Sequence, residues 1–146
     1  MRIFGHPVHP MLVHFPIVFW TVAVVAYVAS ALGVTEPIDT LAKFANGAGL
    51  IMAMLAMIAG VMELRTIDSN SEAMRVATWH MMIMATAWTC FLVALILPVS
   101  TGPDRPAGYL VTACALAGFL LMAIGGWLGG RLVYEFGIAV KERTKS

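Results

Sequence analysis

Charge is what this chain has least of. Asp, Glu, Lys and Arg make up 12% of its 146 residues, against roughly a quarter in soluble domains. Too little charge is present to clothe a water-exposed surface. Nor does it lean to one sign: nine Lys and Arg stand against eight Asp and Glu, which excludes the basic balance of a nucleic-acid binder. No nucleophile–base arrangement, glycine-rich phosphate loop or carboxylate pair occurs, so hydrolytic and phosphoryl-transfer chemistry has no residues to run on. Low-complexity stretches and internal repeats are absent, and the length holds one compact unit. The two cysteines, Cys90 and Cys114, fall at mid-span positions, where cysteine acts as a small hydrophobe.

What the chain does have is apolar length. Hydrophobic residues make up 60% of it, and four stretches, near 11–32, 43–63, 76–97 and 107–130, reach the roughly 20 residues needed to cross a bilayer. Breakers separate them: Gly33 to Pro37, Ser69-Asn70-Ser71, and Pro98 with Gly102-Pro103. Connections this short predict an all-α, up-down four-helix membrane bundle, one transmembrane domain over 1–146 with a tail from 131. Ala29-Ser30-Ala31 looks like a signal-peptide cleavage site. The apolar region before it is too long, and its positive start is Arg2 alone, so it reads as a true span.

An even number of spans puts both termini on one side with the 64–75 loop. That side holds Arg2, Arg65, Arg75, Arg131, Lys141, Arg143 and Lys145, while Lys43 and Arg105 fall opposite. The positive-inside rule then predicts both termini in the cytoplasm of a bacterial-type inner membrane.

Three of the four histidines, His6, His9 and His14, lie within nine residues; the fourth, His80, returns to the same face. His14 and His80 are expected about a turn, roughly 5–7 Å, below the surface. Glu63 ends span two and Arg131 ends span four, so each helix brings one ionisable group to one end. Such groups in a membrane usually face the interior or a wet cavity. Glu63 and Arg131 also read as interfacial residues that snorkel or pair with each other, and His6 and His9 as surface residues of a stiff entry arm. His6 and His9 each precede a proline and are expected to be extended and to project the same way. Pro10 is placed to open the helix, and Pro16 to bend it just past His14.

Small residues line two faces: Gly49, Ala53, Ala56 and Gly60 on span two, and Gly125, Gly126, Gly129 and Gly130 on span four. They mean close helix contact, or room for the flat face of a porphyrin or quinone. Methionine is abundant, with 11 residues. Met84 shares a face with His80 at i, i+4, where a thioether beside an imidazole suits haem iron or Cu(I), although methionine is more often filler.

The runs Gly-His-Pro-x-His-Pro-Met-Leu-Val-x-Phe-Pro-Ile at 5–17 and Gly-Gly-Trp-Leu-Gly-Gly-x-Leu-Val-Tyr at 125–134 resemble the bacterial membrane proteins of domain-of-unknown-function family 2231. The resemblance implies a four-helix inner-membrane protein. Relatives joined to Rieske-type or cytochrome c-type domains hint at electron transfer. The matching positions are His6, Pro7, His9, Pro10, Pro16, Glu63, His80 and glycines 125, 126, 129 and 130. Relatives often carry Asp at the Glu63 position and His where Phe136 stands, and they vary at His14.

Three functions remain open on this reading. The first is a small b-type cytochrome that holds haem b near the cytoplasmic end and exchanges electrons with a quinone or a redox partner. Its cofactor residues would be His80, His14, His9, His6 and Met84, supported by Glu63, Arg131, Gly125 and Gly129. The second is an assembly subunit of a larger complex or oligomer, with no cofactor. The third is a Cu or Zn site formed by His6, His9 and His80 with Glu63 or Met84; His14 is also a candidate metal ligand.

Overall fold

A computed structural model describes residues 2–3, 6–34, 36–97 and 108–140. The breaker Pro98 with Gly102-Pro103, the cation Arg105 and the basic end of the tail (Lys141, Arg143, Lys145) lie outside the described residues, as does the side chain of His6. After a two-residue antiparallel pairing of β1 (Arg2–Ile3) with β2 (His6–Pro7), everything regular is helical. The helices are α1 (Val8–Leu12), α2 (His14–Ala31), α3 (Ile38–Leu64), α4 (Glu72–Ile96) and α5 (Tyr109–Tyr134). With α1 and α2 taken together, four spans of 24, 27, 25 and 26 residues result. At 1.5 Å per residue each exceeds a hydrocarbon core of about 30 Å.

All four spans run longer than their apolar stretches, because helix continues into the polar interface. Helix α3 starts at Ile38, five residues before the apolar run, with Asp39 in its first turn. Helix α4 is started by Ser71, whose hydroxyl accepts from the Met74 amide at 3.1 Å, as an N-cap does. Helix α5 continues to Tyr134, so the tail begins at 135 and not at 131. Its described part turns at Gly137, φ +65°, and lays Phe136 and Ile138 against Val76, Ala77, Leu128 and Leu132. Gly33, φ +98°, ends α2: its amide donates to Ser30 O and that of Val34 to Ala29 O. That double bond is the Schellman pattern, which needs a residue able to adopt positive φ.

The first span runs on through Val13, between α1 and α2: its backbone is helical, its amide donates to the His9 carbonyl at 3.2 Å and its carbonyl accepts from the Ile17 amide at 3.4 Å. Pro16 has no N–H to give the Leu12 carbonyl four residues back, so a single rung of the ladder is missing there. Pro16 itself sits buried in the first turn of α2. Pro10 lies inside α1, whose opening residue is Val8, and His9 is helical and not extended. The first N–H groups of a helix have no intrahelical partner in any case, so a proline in the opening turn forfeits little.

Packed in the order α2, α3, α4, α5 around a ring, the bundle sets spans one and three diagonally. Each hairpin, α2 with α3 and α4 with α5, packs more extensively within itself than against the other. At the centre Trp20 stacks on Phe91, ring centroids 4.3 Å apart and 8° from parallel, both fully buried. The outer faces carry exposed Val25, Phe44, Ile51, Ile58 and Leu120, the composition of a lipid-facing surface. These helices imply a bilayer as the surrounding solvent.

Candidate functional site

Both α1 and α2 pack against α3, and His9 lies on α1. Its Nδ1 is 2.7 Å from the Ala56 carbonyl of α3. Across the bundle, His80 Nδ1 is 2.8 Å from the Gly125 carbonyl of α5. A carbonyl only accepts, so in both rings Nδ1 carries the proton and donates it. In its neutral form each ring then carries its lone pair on Nε2. Fixing one ring nitrogen by a backbone carbonyl and leaving the other basic is how ligand histidines are set.

The two rings are neighbours, with centroids 6.3 Å apart and planes at 87°. A metal–nitrogen bond of about 2 Å plus about 1.1 Å from nitrogen to ring centre, taken twice, is about 6 Å. Two imidazoles opposed across a single ion have that spacing. Among the described residues no cluster of three or more His, Cys, Asp or Glu side chains could hold a metal.

His80 lies eight residues into α4 and Ala56 eight before the end of α3, about 12 Å from the helix ends. Of the two partners expected for His80, His14 and His9, His14 is exposed at the start of α2. His9 takes that place because it lies about three turns before Trp20 on the face of span one that packs on α3, His9 against Gly60 and Trp20 against Gly49. The backbone of His6 is in β2, paired with Ile3.

Glycines seat the side chains of this site one by one. A Cβ on Gly60 would lie 3.1 Å from His9 Nδ1, and one on Gly129 would lie 3.3 Å from His80 Cε1. A Cβ on Gly125 would run into Met84 Sδ. So Met84 fills the notch of the residue whose carbonyl holds His80. Higher in the bundle Gly49 receives Trp20 and Gly118 receives Phe91. Gly126 meets nothing within 4 Å. The small-residue faces are therefore close-contact surfaces occupied by rings and a thioether.

Glu63 is half-buried at the end of α3, about one turn past Gly60. In both His9 and His80 it is a main-chain carbonyl that holds Nδ1–H. Arg131 is bound by Glu135, Nη2 to Oε2 at 2.7 Å, and its guanidinium lies 5.5 Å from the Trp127 ring centre and 5.9 Å from that of Phe136. Its pair is thus the residue one turn on along its own chain. Glu135, outside the span, is held below the ordinary glutamate range by the hydrogen bond from Arg131, partly opposed by desolvation.

The model of the predicted membrane protein family DUF2231 matches residues 5–142. The chain belongs to that family. No curated protein and no solved structure matches it. Both ends of the matched region contribute to the histidine pair of this DUF2231 protein: the entry run supplies His9, and the glycine run supplies the carbonyl and the notch for His80.

Sequence reasoning missed a second polar seam, between α2 and α3. Asp39, buried, receives a hydrogen bond from the buried Ser30 hydroxyl. Asn46 Nδ2 donates to Tyr27 Oη at 3.2 Å and to the Phe91 carbonyl at 3.0 Å. Tyr27 with Ser30 at i, i+3, and Asp39 with Asn46 at i, i+7, were the available signal.

Proposed function

We propose that this DUF2231 protein is a small membrane redox protein in which His9 and His80 would hold haem b. The observation that carries the reading is the pair itself: two imidazoles at 6.3 Å, each with Nδ1–H given to a carbonyl and Nε2 left basic. This donor set suits haem iron, which is commonly held by histidine. When bound, haem supplies one-electron chemistry within the apolar bundle. The protein's part is to fix both ring orientations through Ala56 and Gly125 and to shield the rings with Met84 and the neighbouring helices. Two hairpins that pack more within themselves than against each other give a macrocycle a seam to enter.

A second reading, a single Cu(I) ion, draws on Met84, whose sulfur lies against Gly125; thiolate, thioether and imidazole ligands suit that ion. The surplus of basic residues on the side of the termini supports an orientation in a bacterial inner membrane with both termini cytoplasmic. The histidine pair then lies toward the cytoplasm, where a quinone or a redox subunit would exchange electrons with it.

The test is the visible spectrum and metal content of the protein purified after expression with ample haem. A low-spin haem b spectrum is expected, turning high-spin or vanishing in His9→Ala and in His80→Ala, and unchanged in His14→Ala. Copper at one per chain with no Soret band moves the assignment to the second reading. A colourless, metal-free protein refutes both and leaves an assembly subunit, for which the ring-filled glycine faces are sufficient reason.

A further inference from the structure

The core away from the histidines contains two polar atoms that have lost water and found no protein partner: the indole Nε1 of Trp20 and the amide Oδ1 of Asn46. Both residues are fully buried. One atom is a donor and the other an acceptor, and both belong to one packing layer. A Cβ on Gly49 would lie 2.6 Å from Trp20 Nε1, and Gly49 is one turn from Asn46 on the same face of α3. From the other side, Asn46 Nδ2 donates to the carbonyl of Phe91, the residue on which Trp20 stacks.

Turning the Asn46 amide over does not remove the orphan. Its nitrogen is fixed by the Phe91 carbonyl, which only accepts; reversed, two oxygens would face each other. Turning Trp20 would break its parallel stack on Phe91 and withdraw the ring from the Gly49 notch. In a bilayer neither atom can turn to solvent. The hydroxyl of Tyr27, which accepts from Asn46, still has a proton of its own to donate.

We propose that one water molecule is bound in this layer, accepting from Trp20 Nε1–H and donating to Asn46 Oδ1. A buried water needs two to four polar partners, and these two, with the Tyr27 hydroxyl beside the same amide, provide them. No larger ligand is called for by a lone donor and a lone acceptor. The water pins α2 to α3 at the layer where Asn46 already reaches α4, so one site couples three helices and both hairpins. It does not depend on what His9 and His80 bind.

The experiment uses the full-length protein in nanodiscs. Ultraviolet resonance Raman difference spectra between wild type and Trp20→Phe isolate the Trp20 indole N–H mode. Infrared spectra in H2(18)O against H2(16)O isolate O–H stretches of bound water. Expected are a hydrogen-bonded Trp20 N–H and one sharp isotope-sensitive water band, lost both in Asn46→Leu and in Trp20→Phe, which keeps the aromatic stack. Should Asn46→Leu fail to fold, Trp20→Phe alone still decides the band. A free Trp20 N–H in wild type overturns the proposal. So does a hydrogen-bonded one with no isotope-sensitive band removed by either variant, since the partner is then a protein group.

Discussion

Gly47 and Gly49 stand two residues apart on α3, yet alanine should act on them in opposite directions. At Gly47 a Cβ meets nothing within 4 Å, whereas at Gly49 it lies 2.5 Å from Trp20 Cδ1 and 2.6 Å from Nε1. The clash is with a fully buried ring stacked at 4.3 Å on Phe91, so it cannot be relieved by swinging a flexible end. Both substitutions gain helix propensity, about 0.8–1.0 kcal/mol in soluble hosts. Only Gly49→Ala adds overpacking, typically about 1–3 kcal/mol. Gly47→Ala is thus expected to be neutral to about 1 kcal/mol more stable, and Gly49→Ala to fall about 1–3 kcal/mol below it. The measurement is the unfolding equilibrium of both variants in bicelles, titrated with denaturing detergent, with Trp fluorescence as a second probe. Equal stability of the two would refute the claim that small residues on this face are seats for particular rings.

The same logic separates Gly129→Ala from Gly126→Ala: the first pushes on His80 and should alter the spectrum of a bound cofactor, and the second should not. Glu63→Gln should leave the orientation of both imidazoles and any cofactor spectrum unchanged, because carbonyls hold their N–H groups; a changed spectrum would return the carboxylate to the site. A reporter fused after Ser146 should be active on the cytoplasmic side alone, and periplasmic activity would reverse the assigned orientation. Since the Arg131 hydrogen bond lowers the folded value of Glu135, the contribution of this pair is complete above the unfolded value and lost as pH falls through the folded one. Amide exchange over 135–140 should therefore quicken on the acid side of the glutamate range in the wild type and show no such dependence in Glu135→Gln.

The sequence alone determined the solvent and the class of fold. Four apolar runs with little charge can be buried only in lipid, and short breakers between them leave an antiparallel bundle as the economical arrangement. The pairing of small residues with close contact was also legible, as was the nearness of His80 to His9 at one end. Tertiary structure alone decided which histidine meets His80. Depth and spacing admitted His14 or His9; the rotation of span one against α3 turns His9 inward on the face of Trp20 and leaves His14 exposed. Which ring fills which glycine is likewise settled between helices, since periodicity places residues on a face without saying what that face meets. The Tyr27–Asn46 and Ser30–Asp39 contacts escaped for the same reason. Each residue looks like a stray polar group in an apolar run, and only the rotation of α2 against α3 turns them into partners.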